Sequence, residues 1–208
     1  MSASGPATDG ILAPAKINLN LKIVGRREDG YHLLDSMVVF TAFGDRILVQ
    51  PSPQDSITID GPFGGMLNEP PSENICAKAL TMFRLAGGRV GPLAIHIRKD
   101  IPVGAGLGGG SSNAAALLRW LQENADGAVP DVSLSEIAPS LGADVPACLA
   151  GRALQMTGIG ETITLMSIAP HGRILLASPR VFMPTKTIFT ALAQSDFAIG
   201  EGANAVSQ

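Results

Sequence analysis

The chain has 208 residues, a formal charge of −3 and 46% hydrophobic residues, enough to bury a sizeable core in one large domain or two small ones. The mildly acidic balance argues against nucleic acid or an acidic membrane as the main partner, because neither attracts a negative surface. No apolar run reaches the roughly 18 residues of a membrane span, and the N-terminal MSASGPATDGILAPAK shows no secretory signal, so a cytoplasmic location is expected.

The first element is KINLNLKIV. Ile17, Leu19, Leu21 and Ile23 alternate with Lys16, Asn18, Asn20 and Lys22, the period of two of a half-buried strand. GRREDGYH follows, with a turn at Asp29-Gly30. DSMVVFTAF, DRILVQ and SITID then read as separate strands, divided by Gly44-Asp45 and by PSPQD. The region is expected to be antiparallel.

PPSENICAKALTMFRLAGG reads as a helix capped near Ser72 and closed by Gly87-Gly88, with Ile75, Ala79, Met82, Phe83 and Ala86 on its apolar face. LAIHIRK is a strand. Beyond a glycine-rich loop, Ala114, Leu117, Leu118, Leu121 and Ala125 recur at helical spacing, so a helix is expected from about Ser111 or Ser112. SLSEIAPSLG is a shorter helix that Pro139 should interrupt or end, and ADVPACLAG begins another with Asp144 near its start. ALQMTGIGETITLM reads as a hairpin around Gly158-Ile159-Gly160, RILLAS as a strand, and PTKTIFTALAQS as a helix capped by Thr185. Strands in a run, then helices mixed with hairpins, predict an α+β fold. Cys76 and Cys148 lie in apolar runs without metal-ligand spacing and read as buried, reduced thiols.

The stretch that carries chemistry is KDIPVGAGLGGGSSNAAALLRWL, residues 99–121. Gly104, Gly106, Gly108, Gly109 and Gly110 fall directly before a helix. Such a loop leaves backbone N–H groups free, lets phosphate oxygens approach without meeting a Cβ, and places the anion at the positive end of the helix. The Walker pattern fails, because no lysine occupies residues 104–118. G-x-G-x-x-G matches at Gly104, Gly106 and Gly109, but KDIP separates the strand from the first glycine and DGAVPDVSLSE follows the helix instead of a second strand. A dinucleotide-binding fold is therefore not expected.

Phosphoryl transfer to an alcohol also needs charge neutralisation and a group to orient or deprotonate the hydroxyl. Asp144, in apolar surroundings at a helix start, fits either a plain N-cap or a general base. Lys16, at a strand start, fits either a solvated surface lysine or a charge partner. Tyr31 and His32 stand just past a turn. An aromatic and an imidazole there suit a pyrimidine base, as stacking face and edge reader; a core aromatic and a surface histidine are the alternative.

The loop P-x-G-x-G-L-G-G-G-S-S at residues 102–112 resembles the phosphate loop of the GHMP kinases, the superfamily of galactokinase, homoserine, mevalonate and phosphomevalonate kinases. PAKINLNLKIVGRREDGYH and LGADVPACL narrow the resemblance to the 4-diphosphocytidyl-2-C-methyl-D-erythritol kinases, over about Ala13 to Leu192. That resemblance implies a two-lobe architecture: an N-terminal ribosomal-protein-S5-domain-2-like lobe over 1–154, and the start of a C-terminal lobe over 155–208. It also implies ATP and Mg²⁺, a small-molecule substrate, and Lys16 with Asp144 as the catalytic pair. Asp144 would accept the hydroxyl proton, and Lys16 would pair with that charge and steady the transferring group.

By the same resemblance Pro102, Val103, Gly104, Ala105, Gly106, Leu107, Gly108, Gly109, Gly110, Ser111 and Ser112 form the phosphate loop, with Ser112 a candidate Mg²⁺ ligand. Asn74 and Lys99 match the adenine pocket. Tyr31 and Phe189 would sandwich the cytosine, His32 would hydrogen-bond it, and Asn18 with Thr185 would bind the methylerythritol portion. The family continues to a third glycine-rich motif, whereas this sequence ends GEGANAVSQ; a fragment or a shortened form is expected, with its turnover in question. A sister GHMP kinase would explain the loop but not Tyr31-His32 beside Lys16 and Asn18. A nucleotide-binding protein without turnover would be indifferent to Asp144→Asn.

Overall fold

One strand of twenty residues, β3 (His32–Pro51), has ladder partners along both of its edges. The structure, a computed structural model, describes residues 10–67, 69–125, 133–168 and 170–177. Around β3 stand β1 (Ile11–Asn18), β2 (Lys22–Arg26), β4 (Ser56–Asp60), α1 (Ile75–Leu85), β5 (Leu93–Arg98), α2 (Gly109–Asn124), α3 (Leu134–Leu141), α4 (Val145–Ala150), β6 (Leu154–Gly158) and β7 (Thr162–Leu165). The seven strands form one sheet in the order β4-β5-β3-β6-β7, with β1 and β2 both pairing β3. An α+β fold is what the sequence predicts.

Two strands were expected where β3 runs unbroken through Gly44-Asp45. Partners on both sides override the local turn signal: β1 pairs Val38 through Ile47, and β5 pairs Arg46 through Pro51. Gly44 is essential to this crossing, because it lies opposite Pro14 and a Cβ there would collide with the Ala13 carbonyl. The ladder shifts register between Pro14 and Lys16 at the same point, a bulge that re-aims the side chains beyond it.

KINLNLKIV, expected as one strand, divides at Leu19–Leu21. The Met37 N–H donates to the Asn20 Oδ1 at 2.6 Å, and the Ser36 hydroxyl donates to the Asn20 carbonyl at 2.6 Å. These local bonds replace the ladder. The expected alternation fails with it: Lys16 is 4% exposed, while Leu19 and Leu21 are 44% and 51% exposed.

The region is also not wholly antiparallel. β4 pairs β5 in parallel, and α1 forms the crossover that a parallel pair requires. α1 starts at Ile75, not near Ser72, because Asn74 is the cap: its Oδ1 accepts from the Cys76 N–H at 2.9 Å. The helix closes as expected. Gly87 takes φ +98°, and the Gly88 N–H reaches back to the Phe83 carbonyl at 3.0 Å. Its buried face is Cys76, Ala79, Leu80 and Phe83, rotated from the expected one so that Ala86 is exposed.

α2 begins at Gly109, two residues before Ser111, and buries Ser112 through Leu118 and Leu121. It packs on β1 and β3, flanked by α1 and α4, with α3 joining those two. Pro139 lies inside α3 and neither interrupts nor ends it. The bond it forgoes would go to Ser135, and both residues are exposed, so water serves that carbonyl. The β6–β7 hairpin turns at Gly158 and Gly160 as expected. β6 pairs with Leu34 through Val38 of β3, so the sheet runs across the boundary expected at 154. The strand expected at RILLAS does not form over its described residues: 173–177 have no regular structure. The Thr185 helix lies outside the described residues. Among the described residues no helix is long and apolar enough to cross a membrane.

α4 depends on a half-buried arginine. Arg119 of α2 donates to the carbonyls of Cys148 and Leu149 at 2.9 and 3.0 Å, closing the end of α4 opposite Asp144. Replacing Arg119 with Met keeps the aliphatic stem but leaves both carbonyls without that donor. The expected cost is about 1–3 kcal/mol of stability, read from urea denaturation; an unchanged midpoint would show that water replaces the guanidinium.

Candidate active site

β5 ends at Arg98, and the next three residues lead into the glycine loop. Gly104, Gly106 and Gly108 all have positive φ. At Gly108 the demand is double: φ is +63°, and a Cβ would stand 3.1 Å from the Cβ of Lys16. Gly108 precedes α2 and supplies no side-chain cap. The first intrahelical bond is from the Ser112 N–H to the Gly108 carbonyl at 2.8 Å. The N–H groups of Gly109, Gly110 and Ser111 therefore precede the helical ladder at the positive end of its dipole. Backbone donors and a positive helix end make this an anion cradle.

The loop is tied to β1. The Lys16 N–H donates to the Leu107 carbonyl at 2.9 Å, and the Ser112 hydroxyl donates to the Pro14 carbonyl at 2.7 Å. Those contacts bring the cradle to the Lys16 side chain, whose Nζ lies 2.7 Å from the Asp144 Oδ1 across 128 residues of sequence. The Lys16 side chain is 5% exposed and that of Asp144 38%, so a buried cation meets a carboxylate open to the cleft. Asp144 occupies the N-cap position of α4 without making a side-chain cap bond. Its carboxylate is spent on Lys16, which excludes both the plain N-cap and the surface-lysine alternatives.

A cleft of about 840 Å³ opens over this pair and is lined by Pro102 through Ser111. On one flank stand Asn18, Leu21, Ile23, Leu34, Met156 and Ile159; on the other, Ile59, Glu69, Glu73, Asn74, Lys78 and Lys99. β6 pairs with Leu34 through Val38 of β3, whereas β5, with β4 beyond it, pairs with Arg46 through Pro51, so the two flanks belong to opposite ends of that strand and offer separate subsites. The Asn18 amide donates to the Ser36 hydroxyl at 2.7 Å, which fixes it beside Lys16.

The remaining expected residues divide. Asn74 lines the cleft while capping α1, and Lys99 lines it with its ammonium paired to buried Asp45. Ser112 is 1% exposed, turned onto Pro14, and does not line the cleft. Tyr31 is 60% exposed; it and His32, the first residue of β3, are not part of the lining. Thr185 and Phe189 lie outside the described residues. Two residues went unnoticed in the sequence. Asp45 was absorbed into a turn, although an aspartate flanked by strand residues is itself a signal of internal use. Asn113, 3% exposed, has a buried Oδ1 without a partner and lines the cleft; nothing in the helical pattern distinguished it.

The described residues do not by themselves build a magnesium site. Among the described residues no three His, Cys, Asp or Glu side chains are grouped to hold a metal, and Ser112 faces away from the cleft. A magnesium ion would take its oxygen ligands mainly from nucleotide phosphates. Both cysteines are buried and free, and burial pushes each thiol up to about 12, so neither is a thiolate nucleophile.

Residues 74–152 match the family model of the GHMP kinases N-terminal domain. The chain is 44% identical over 185 residues to a 4-diphosphocytidyl-2-C-methyl-D-erythritol kinase of Agrobacterium fabrum, covering 86% of this chain and 62% of the relative. It is 42% identical over 181 residues to the enzyme of that name from Paramagnetospirillum magneticum, covering 87% and 63%. The chain thus spans about three fifths of the length of the curated relatives it matches. A crystal structure of a 4-(cytidine 5'-diphospho)-2C-methyl-D-erythritol kinase superposes with a TM-score of 0.63 at 36% identity, covering 88% of this chain and 70% of that one. With the anion cradle, the Lys16–Asp144 pair and this likeness in sequence and fold together, the chain belongs to the 4-diphosphocytidyl-2-C-methyl-D-erythritol kinase family of GHMP kinases.

Proposed function

We propose that the protein transfers the γ-phosphoryl group of ATP to the 2-hydroxyl of 4-diphosphocytidyl-2-C-methyl-D-erythritol, a step of non-mevalonate isoprenoid precursor biosynthesis. The observation that carries the reading is the 2.7 Å pair between Lys16 and Asp144, set against a loop whose free N–H groups suit phosphates. The name shared by the relatives supports the acceptor's identity.

On this reading the Asp144 carboxylate accepts the proton of the acceptor hydroxyl as its oxygen bonds to the γ-phosphorus. The bond from that phosphorus to the β–γ bridging oxygen breaks, and ADP leaves with the electron pair. Lys16 orients Asp144 and places a positive charge where negative charge collects in the transition state. The loop N–H groups hold the phosphates so that this geometry is reached without further ordering of the backbone. Asn18 sits beside Lys16 to orient the acceptor. Tyr31 and His32, on the β2–β3 hairpin next to the apolar flank, suit the cytosine; by the family resemblance Phe189 would stack on it with Tyr31, and Thr185 would bind the methylerythritol portion with Asn18. Asn74 and Lys99 flank the adenine subsite.

Mg·ATP-dependent phosphorylation followed by ³¹P NMR tests the reaction. The parent chain is expected to give a new phosphomonoester resonance with this acceptor and none with homoserine or mevalonate. Asp144→Asn is expected to lower kcat by about 10²–10⁴, the range of a positioned base, with ATP still bound. Turnover that survives Asp144→Asn intact would remove the aspartate from the chemistry.

The cradle has its own test. Gly108→Val introduces a β-branched residue at φ +63° against Lys16, and is expected to weaken ATP binding by at least about tenfold in a titration with a fluorescent ATP analogue. Parent-like affinity would show that the phosphates are held elsewhere.

A further inference from the structure

Asp45 has no exposed surface and no part in the chemistry above, yet its carboxylate binds three donors. Its Oδ1 accepts from the N–H groups of Asp100 and Ile101, both at 2.8 Å, and its Oδ2 pairs with the Lys99 ammonium. Lys99, Asp100 and Ile101 are the three residues between β5 and the loop. Desolvating a carboxylate is costly unless its lone pairs are used, and here both oxygens are spent on one short segment.

The opposite end of the loop is held from the same place. Asp45 lies across the ladder from Ala13, and Gly44 from Pro14. Two residues on, the Lys16 N–H holds the Leu107 carbonyl, and the Pro14 carbonyl holds Ser112. The β1–β3 crossing thus grips the chain just before Pro102 and again just after Gly106. The Lys99 ammonium would stand 3.1 Å from a Cβ at Gly109, beneath the positive end of α2, where a lone cation is disfavoured. The Asp45 carboxylate balances it.

We infer that Asp45 is a positioning residue for the nucleotide loop: it anchors the loop's origin to the middle of the sheet and holds Lys99 as a structural link. The inference rests on reading that loop as the ATP cradle. It makes Lys99 act on the nucleotide through the backbone, not through its ammonium.

Two double variants separate anchoring from charge. Asp45→Asn with Lys99→Met removes both charges and keeps an oxygen for the two N–H groups; Asp45→Leu with Lys99→Met removes that oxygen too. The leucine variant is expected to bind a fluorescent ATP analogue about tenfold more weakly than the asparagine variant, with affinity for the cytidine-linked acceptor shifted by less than about twofold. Equal ATP affinities in the two variants, or an equal loss of acceptor affinity, would overturn the anchor. Hydrogen exchange in the parent needs no variant: the Asp100 and Ile101 amides are expected to exchange as slowly as those of β5, and exchange as fast as the loop glycines would also overturn it. A parent that binds no ATP overturns the cradle reading itself, a distinct result.

Discussion

A lysine ammonium removed from water and placed against a carboxylate at 2.7 Å is the constraint from which the site follows. Such a cation is stable only while its partner stays in register, and four separate elements keep it there. The β1 bulge aims Lys16 inward, and Gly108 leaves room for its stem. The start of α4 carries Asp144, while Arg119 secures the other end of that short helix. None of these does chemistry alone. Together they convert an arrangement that would be a liability in an ordinary core into a charge pair open to the cleft on its aspartate side.

The glycine loop obeys a complementary rule. Five glycines in seven positions give a segment large conformational freedom, which must be lost on binding unless it is lost on folding. Here it is lost on folding, because the chain is held on both sides by the β1–β3 crossing. Freedom at Gly104, Gly106 and Gly108 is used to reach positive φ and close backbone approach, not to remain mobile.

Much of this was legible from residue patterns. The glycine loop, the helix after it, the hairpin at Gly158–Gly160 and the Lys16–Asp144 pair could be drawn from spacing and resemblance. What escaped has a common cause in long-range pairing. Gly44-Asp45 carries a turn signal that only partners on both edges override, and the alternation of KINLNLKIV hides an asparagine that withdraws backbone groups from the ladder. The parallel pairing of β4 with β5 is equally invisible locally, since the strands themselves do not record whether a helix will carry the chain back. The role of Asp45 was missed because its three donors lie more than fifty residues away in sequence.

The spread of the ladder partners of β3 also sets an order of assembly. Its C-terminal half can pair with β1 and β5 once residue 98 is made, and α2 then seats on that surface. Its N-terminal half has β2 as a local partner on one edge, but the other edge must wait for β6, whose residues follow more than 110 positions later, and Asp144 arrives only just before them. Closing loops of that length is slow relative to local contacts. During synthesis, therefore, the glycine loop and the start of α2 are made before the carboxylate that pairs with Lys16: a nascent chain carries that ammonium for some 128 residues before its partner exists.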